Sequence, residues 1–187
     1  FAKLIEVLKA NTKVNCKKRD WRVQNYNPKK YEYGGVYTCK IPPATKRKNS
    51  SRLGRPGSLG RCYNYVKMGQ LAAGLVVPPN SYPYGANAYQ AAGTSGNPGV
   101  LEKSGFTNVM SNICASATRC SRNKIPKNAI IVYDGGYYPE GHKKAGQKHP
   151  GHIEVKAGPT EYISDFRAMN PYHTYKKGAK ILGIYTR

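Results

Sequence analysis

The chain has 187 residues, which suits one domain with a sizeable core or a core with an appendage. Its 31 lysines and arginines against nine aspartates and glutamates give a net charge of +22, and no apolar run is long enough to span a bilayer. This charge indicates a polyanionic partner, namely nucleic acid, anionic cell-wall polymer or a membrane surface, although a solvated basic surface that only aids solubility stays an alternative.

The N-terminal part of the chain divides into a helix and a basic segment. Residues 1–10, FAKLIEVLKA, place Leu4, Ile5 and Leu8 on one face and predict a short amphipathic helix. Residues 11–61 show little periodicity and many Gly and Pro breaks, so we expect an extended segment with one short strand near GGVYTCKI. We therefore predict a basic extension over residues 1–54 that wraps a core domain over residues 55–187.

The core domain is predicted to begin with helices. In GSLGRCYNYVKMGQLAAG, positions 62, 65, 66, 69, 72 and 73 form a stripe at helical spacing, and Gly74 supplies a stop. The small residues of the stripe would let a sheet approach the helix closely. Further along, ANAYQAA predicts a turn or two of helix, and VLEKSGF predicts a short helix that ends at Gly105.

The last third changes to strand patterns. AIIVYD at 129–134 is a continuous apolar run that predicts a buried strand. HIEVKA and EYISDF alternate on either side of GPT and predict a hairpin, and AKILGIYTR predicts a closing strand. The order of helices followed by an antiparallel meander predicts an α+β domain.

The five cysteines indicate disulfides and one free thiol. None forms a C-x-x-C pair, so a structural zinc site has little support. Cys114 and Cys120 suit a small disulfide loop, and Cys16 and Cys39 flank another polar stretch, which leaves Cys62 over. Other pairings stay open. Two disulfides would indicate an oxidising compartment.

Cys62 lies where a nucleophile would be expected. The positive end of a helix dipole favours the thiolate, Arg61 adds positive charge, and the first backbone amides of the helix can hold an oxyanion. The alternative is a structural cysteine that packs as a small hydrophobic residue.

A cysteine nucleophile needs a base, and His152 is the best placed of the four histidines because it begins a predicted strand. His142 and His149 lie in a polar loop, and His173 follows NPY. The spacing H-x-x-H of His149 and His152 resembles a metal site, but no further ligand completes it. We therefore expect neither a metal nor another cofactor.

The base needs a group that orients it, and the predicted hairpin offers Asp165. If the turn centres between Gly158 and Pro159, Asp165 faces His152 across the two strands. Glu154 shares that face two residues further on and is the reserve. A surface carboxylate that balances nearby lysines is the alternative role for Asp165.

Two basic runs, KKRDWR and KRKNSSRLGR, lie next to tyrosines and could bind nucleic acid. No nucleic-acid motif accompanies them, and disulfides would argue against a cytosolic role. We therefore do not expect nucleic acid to be the partner.

The order of GRCYNYVKMGQLAAG, IPKNAIIVYD and GHIEVKAGPTEYISDF resembles the NlpC-type and CHAP-type cysteine peptidases, a papain-like superfamily of bacterial cell-wall hydrolases. The resemblance covers roughly residues 55–187. It implies a nucleophile helix packed on an antiparallel sheet, with Cys62 as nucleophile, His152 as base and Asp165 as the group that orients it.

The resemblance also implies a secreted or periplasmic monomer that hydrolyses amide bonds of peptidoglycan stem peptides or cross-bridges. The basic extension would anchor it to anionic wall polymers, and an immunity or inhibitor protein is a partner that such a role allows. Two other classes stay open: a non-enzymatic basic protein that binds anionic polymer, and a papain-like amidase or acyltransferase acting on another substrate.

Overall fold

The computed structural model describes residues 1–13, 21–23, 37–39, 62–75, 87–94, 96–138, 140–174, 176 and 178–187. The helices are α1 (Ala2–Lys13), α2 (Cys62–Ala72), α3 (Val100–Lys103) and α4 (Met110–Ile113), with 3-10 turns at Ala88–Ala91 and Tyr172–Thr174. The strands are β1 (Trp21–Val23), β2 (Tyr37–Cys39), β3 (Thr107–Asn108), β4 (Ile130–Asp134), β5 (His152–Gly158), β6 (Glu161–Ile163), β7 (Arg167–Ala168) and β8 (Lys180–Thr186).

A six-stranded sheet forms the centre of the fold, with the strand order β3-β8-β4-β5-β6-β7. Every pairing in it is antiparallel. The two short strands β1 and β2 form a separate antiparallel pair. The prediction of an α+β fold with an antiparallel sheet is therefore confirmed.

Both faces of the central strands are covered, which explains why β4 reads as an unbroken apolar run. Ile130 and Val132 of β4 pack with Leu4, Tyr65 and other residues of α1 and α2 in one core cluster. Ile131 and Tyr133 face the other way and pack in a second cluster with residues of the 109–129 segment and the C-terminal strand. Alternate residues of each strand therefore enter different cores.

Helix α1 packs directly against α2, and the two backbones approach each other at Gly69. A Cβ atom at this position would lie 2.6 Å from Leu4 Cδ1 and 3.3 Å from the Leu4 carbonyl oxygen. The small residue therefore accommodates a neighbouring helix, whereas the sequence led us to expect a sheet there. Helix α2 also contacts β5, which joins the helical layer to the sheet.

Several other sequence expectations can be compared with the described residues. The first helix is confirmed and continues to Lys13, the strand near GGVYTCKI is β2, and ANAYQAA contains a 3-10 turn. The predicted stops at Gly74 and Gly105 both have a positive φ, of 63° and 81°. Within the predicted 1–54 extension, α1 contributes Leu4 and Leu8 to the main core.

The disulfide between Cys114 and Cys120 is present. Cys16 and the side chain of Cys39 lie outside the described residues, so that predicted pairing stays a prediction. Across the part of the chain described here, no helix is both long and apolar enough to cross a membrane.

The close approach at Gly69 predicts a specific stability effect. We expect Gly69→Val to lower the free energy of unfolding by about 1–3 kcal/mol, because the new side chain overpacks the α1–α2 contact. Urea unfolding measures this loss. In a Leu4→Ala background the same substitution should cost less, because the clashing side chain is gone. Equal costs in both backgrounds would contradict the packing described here.

Candidate functional site

The predicted base, His152, is the first residue of β5, and the glycine before it fixes its position. Gly151 has a φ of 75°, in the left-handed region. A Cβ at Gly151 would lie 2.4 Å from the carbonyl oxygen of Tyr133, so a larger residue would push the two strands apart. His152 pairs with Tyr133 across the sheet. The left-handed bend at Gly151 therefore places His152 at the start of a buried strand.

The predicted nucleophile, Cys62, is the first residue of α2 and has a half-buried free thiol. Its side chain is hydrogen bonded to His152. The structure thus brings these two residues together where α2 meets β5. Arg61, which was expected to add positive charge beside the thiol, lies outside the described residues.

Glu154 lies on the other side of the imidazole. It is two residues along β5 from His152 and on the same face, and its Oε2 is 3.6 Å from His152 Nε2. This separation is that of an ion pair and is longer than a hydrogen bond. Because Nε2 faces Glu154, Nδ1 is the ring nitrogen that remains for Cys62. Both His152 and Glu154 are buried, with exposures of 4% and 1%.

The second carboxylate oxygen of Glu154 is held by two donors. The hydroxyl of Tyr133 donates to Glu154 Oε1 over 2.6 Å, and the backbone N–H of Tyr172 donates to the same atom over 2.9 Å. Since Oε1 is occupied in this way, Oε2 is directed at His152. A buried carboxylate needs such partners, since an isolated charge is costly to bury.

Among the described residues, three aromatic rings surround the imidazole. The Tyr172 ring is stacked on it with a centroid distance of 4.2 Å, and Phe166 and Tyr133 lie 5.7 and 6.0 Å away. These rings restrict rotation of the imidazole about its side-chain bonds. They also leave little room for water around a charged His152, which strengthens its electrostatic contacts.

The charge state of His152 follows from these neighbours. Burial alone would lower its pKa, but the negative charge and hydrogen bond of Cys62, together with Glu154, raise the pKa from 6.5 to about 10. At neutral pH the imidazole is therefore protonated, and it lies between the Cys62 sulfur and the Glu154 carboxylate. The same two residues, added to the larger effect of burial, raise the pKa of Tyr172 to about 12.

The register predicted for the β5–β6 hairpin is wrong by one residue. Gly158 pairs with Glu161, so the turn centres on Pro159 and Thr160, and a bulge before Gly158 shifts the pairing again. Val155 then pairs with Ile163, and extending this register puts Phe166, not Asp165, opposite His152.

Asp165 is therefore not the residue that pairs with His152 across the hairpin. It is buried in the bend after β6, where its Oδ1 accepts a hydrogen bond of 3.3 Å from the hydroxyl of Ser164. Its charge contributes to the raised pKa of Tyr172, with a smaller effect than burial, Cys62 and Glu154. Glu154, the predicted reserve, is the carboxylate that reaches His152.

The other three histidines have different partners. His142 stacks on Tyr138 at 4.5 Å, and His173 Nε2 donates to the carbonyl of Cys120 over 3.2 Å. His149 Nδ1 accepts a hydrogen bond from the backbone N–H of Gly151, and burial together with nearby positive charge lowers its pKa. The described ranges contain no group of three or more His, Cys, Asp or Glu side chains that could hold a metal ion.

Sequence reasoning missed Tyr133 and Tyr172, the two residues that hold Glu154. The pairing of β4 with β5 could have found Tyr133, because the two strands are neighbours and Tyr133 lies opposite His152. No comparable signal exists for Tyr172, which follows an Asn-Pro turn and reaches the site only through the path of the chain after β7.

Comparisons with models of protein families, with curated proteins and with solved structures gave no match to this chain.

The charged cluster predicts an unusual titration of His152. We expect nuclear magnetic resonance of the labelled imidazole to give a pKa near 10 in the wild type. Glu154→Gln should lower this pKa, because one of the two stabilising anions is lost, and Cys62→Ala should lower it as well. Asp165→Asn is the matched control and should move the pKa less than Glu154→Gln. A wild-type value at or below the ordinary 6.5 would contradict the charged pair.

Proposed function

We propose that the protein is a secreted cysteine hydrolase that cleaves amide bonds in the peptides of bacterial peptidoglycan. The observation that carries this proposal is the hydrogen bond between Cys62 and a buried His152 whose other side faces Glu154. A nucleophile, a base and a group that orients the base are the parts that covalent acyl transfer requires.

The first half of the reaction forms a covalent intermediate. The Cys62 thiolate attacks the carbonyl carbon of the scissile amide, and the carbonyl oxygen becomes an oxyanion. Backbone amides in the first turn of α2 have no helical carbonyl partners and are suited to stabilise this oxyanion. The imidazolium of His152 then gives its proton to the leaving amine, and a thioester on Cys62 remains.

The second half releases the product. Neutral His152 accepts a proton from a water molecule, which attacks the thioester and restores the thiolate and the imidazolium. Glu154 acts throughout by holding the imidazole in one orientation and by stabilising its charged form. Tyr133 and Tyr172 contribute indirectly, because they fix the carboxylate of Glu154.

The substrate class rests on two further features. The net charge of +22 suits a protein that works among teichoic acids, lipopolysaccharide phosphates and stem-peptide carboxylates. The resemblance of the Cys62 helix and the GHIEVKAGPTEYISDF hairpin to NlpC-type and CHAP-type peptidases favours a papain-like core and a wall peptide. The Cys114–Cys120 disulfide favours work outside the reducing cytosol.

A non-enzymatic protein that binds anionic polymer is the second candidate function, and the strong positive charge is the observation that favours it. Such a protein has no need for a thiolate beside a buried imidazolium. Replacing Cys62 therefore separates the two functions. A protein that only binds polymer would keep its full activity without this sulfur, whereas the hydrolase would lose its nucleophile.

Clearing of purified cell walls tests the catalytic assignment. We expect Cys62→Ala and His152→Ala to lower the rate of turbidity loss by about 10³-fold or more, because each removes an essential part of one catalytic unit. His142→Ala is the matched histidine control and should clear walls at nearly the wild-type rate. Clearing by Cys62→Ala at the wild-type rate would show that this sulfur is not the nucleophile.

A further inference from the structure

A second surface with a clear chemical character lies away from Cys62. Residues 114–128, which we call the basic loop, connect α4 to β4 and carry Arg119, Arg122, Lys124 and Lys127, all exposed. No aspartate or glutamate occurs between Glu102 and Asp134. The loop therefore presents four positive charges within nine residues and no negative charge of its own.

The basic loop is held firmly against the sheet. The Cys114–Cys120 disulfide closes its first half, where the backbones of Ser116 and Arg119 pair across a turn. In its second half, Lys156 of β5 donates hydrogen bonds of 2.6 Å to the carbonyl oxygens of Arg122 and Ile125. The positive side chains thus project from an ordered loop and would lose little backbone entropy on binding a ligand.

The four charges lack carboxylate partners within the described part of the chain. There Lys9, Lys148 and Arg167 each form an ion pair with an acidic side chain. Arg122 instead donates to the neutral Asn170 side chain over 2.9 Å. Burial and, to a smaller extent, the charge of Arg122 lower the pKa of Lys156 beneath the loop. Positive charges are therefore concentrated here without an acid to relieve their repulsion, which suits an anionic ligand.

We propose that the basic loop binds a flexible anionic polymer whose charges are phosphodiesters, such as a poly(glycerol phosphate). Residues 114–128 include no Phe, Trp or Tyr, so the loop offers no platform on which the bases of a single strand could stack. The adjoining helix α4 has four residues, too few to read a duplex from its major groove. A loop that offers positive charge, but neither aromatic rings nor a long helix, suits a polymer that presents phosphates without bases.

The loop and the catalytic cluster share strand β5 but lie at different points along it. His152 begins the strand, and Lys156, which anchors the loop, is four residues further on, or roughly 13 Å along the strand. A polymer bound to the loop would keep Cys62 close to the material in which that polymer is embedded. Binding itself does not depend on the proposed catalysis.

Binding of a synthetic poly(glycerol phosphate) to the full chain, measured by calorimetry at several salt concentrations, tests this inference. The polymer contains no amide bond, so the outcome is independent of whether Cys62 is a nucleophile. We expect the variant with Arg119, Arg122, Lys124 and Lys127 all changed to Gln to bind at least ~10-fold more weakly, and the slope of log affinity against log salt to fall by up to about 3.

The matched control changes Lys3, Lys103, Lys143 and Lys180 to Gln, which removes the same charge from other exposed positions. Its affinity should fall less than about threefold. Equal weakening of both variants, or no weakening of the loop variant, would overturn the proposal. So would tighter binding to an oligonucleotide with the same number of phosphates, because nucleic acid would then be the better ligand.

A measurement on the wild type keeps the test independent of mutant folding. Backbone amide resonances of residues 114–128 should shift when the polymer is added. Shifts confined to other parts of the chain would contradict the assignment of this loop.

Discussion

The contact between Cys62 and His152 is the interaction on which the site depends. A protonated imidazole with 4% exposure would be unfavourable without compensation, because burial penalises its charge. Cys62 on one side and Glu154 on the other provide that compensation. The three groups therefore depend on one another, and removing either Cys62 or Glu154 should lower the pKa of His152.

The rest of the fold can be understood as the means of holding this contact. Gly69 lets α1 pack closely on α2, which fixes the helix that begins with the nucleophile. Gly151 allows the bend that starts β5 with the imidazole. Tyr133, which precedes Glu154 in the sequence, and Tyr172, which follows it, both donate hydrogen bonds to its carboxylate. One helix and the sheet thus meet at Cys62 and His152, although the two residues are far apart in the sequence.

Sequence patterns were sufficient for the parts of this arrangement that depend on local structure. Helix α2 followed from its spacing and from Gly74, and β4 and β5 followed from apolar runs and alternation. The partner of His152 across the hairpin could not be obtained in this way, because it depends on where the turn centres and on a bulge before Gly158 that changes the register by one residue. Tyr172 reaches His152 through tertiary packing, for which periodicity contains no information.

Alkylation of Cys62 at neutral pH, compared between the wild type and His152→Ala, tests the central interaction most directly. Thiolates react with alkylating reagents and thiols hardly do, so the rate reports whether the imidazolium holds the sulfur in its charged form. We predict that the wild type reacts at least ~10-fold faster than His152→Ala. Equal rates in the two proteins would contradict the thiolate–imidazolium pair.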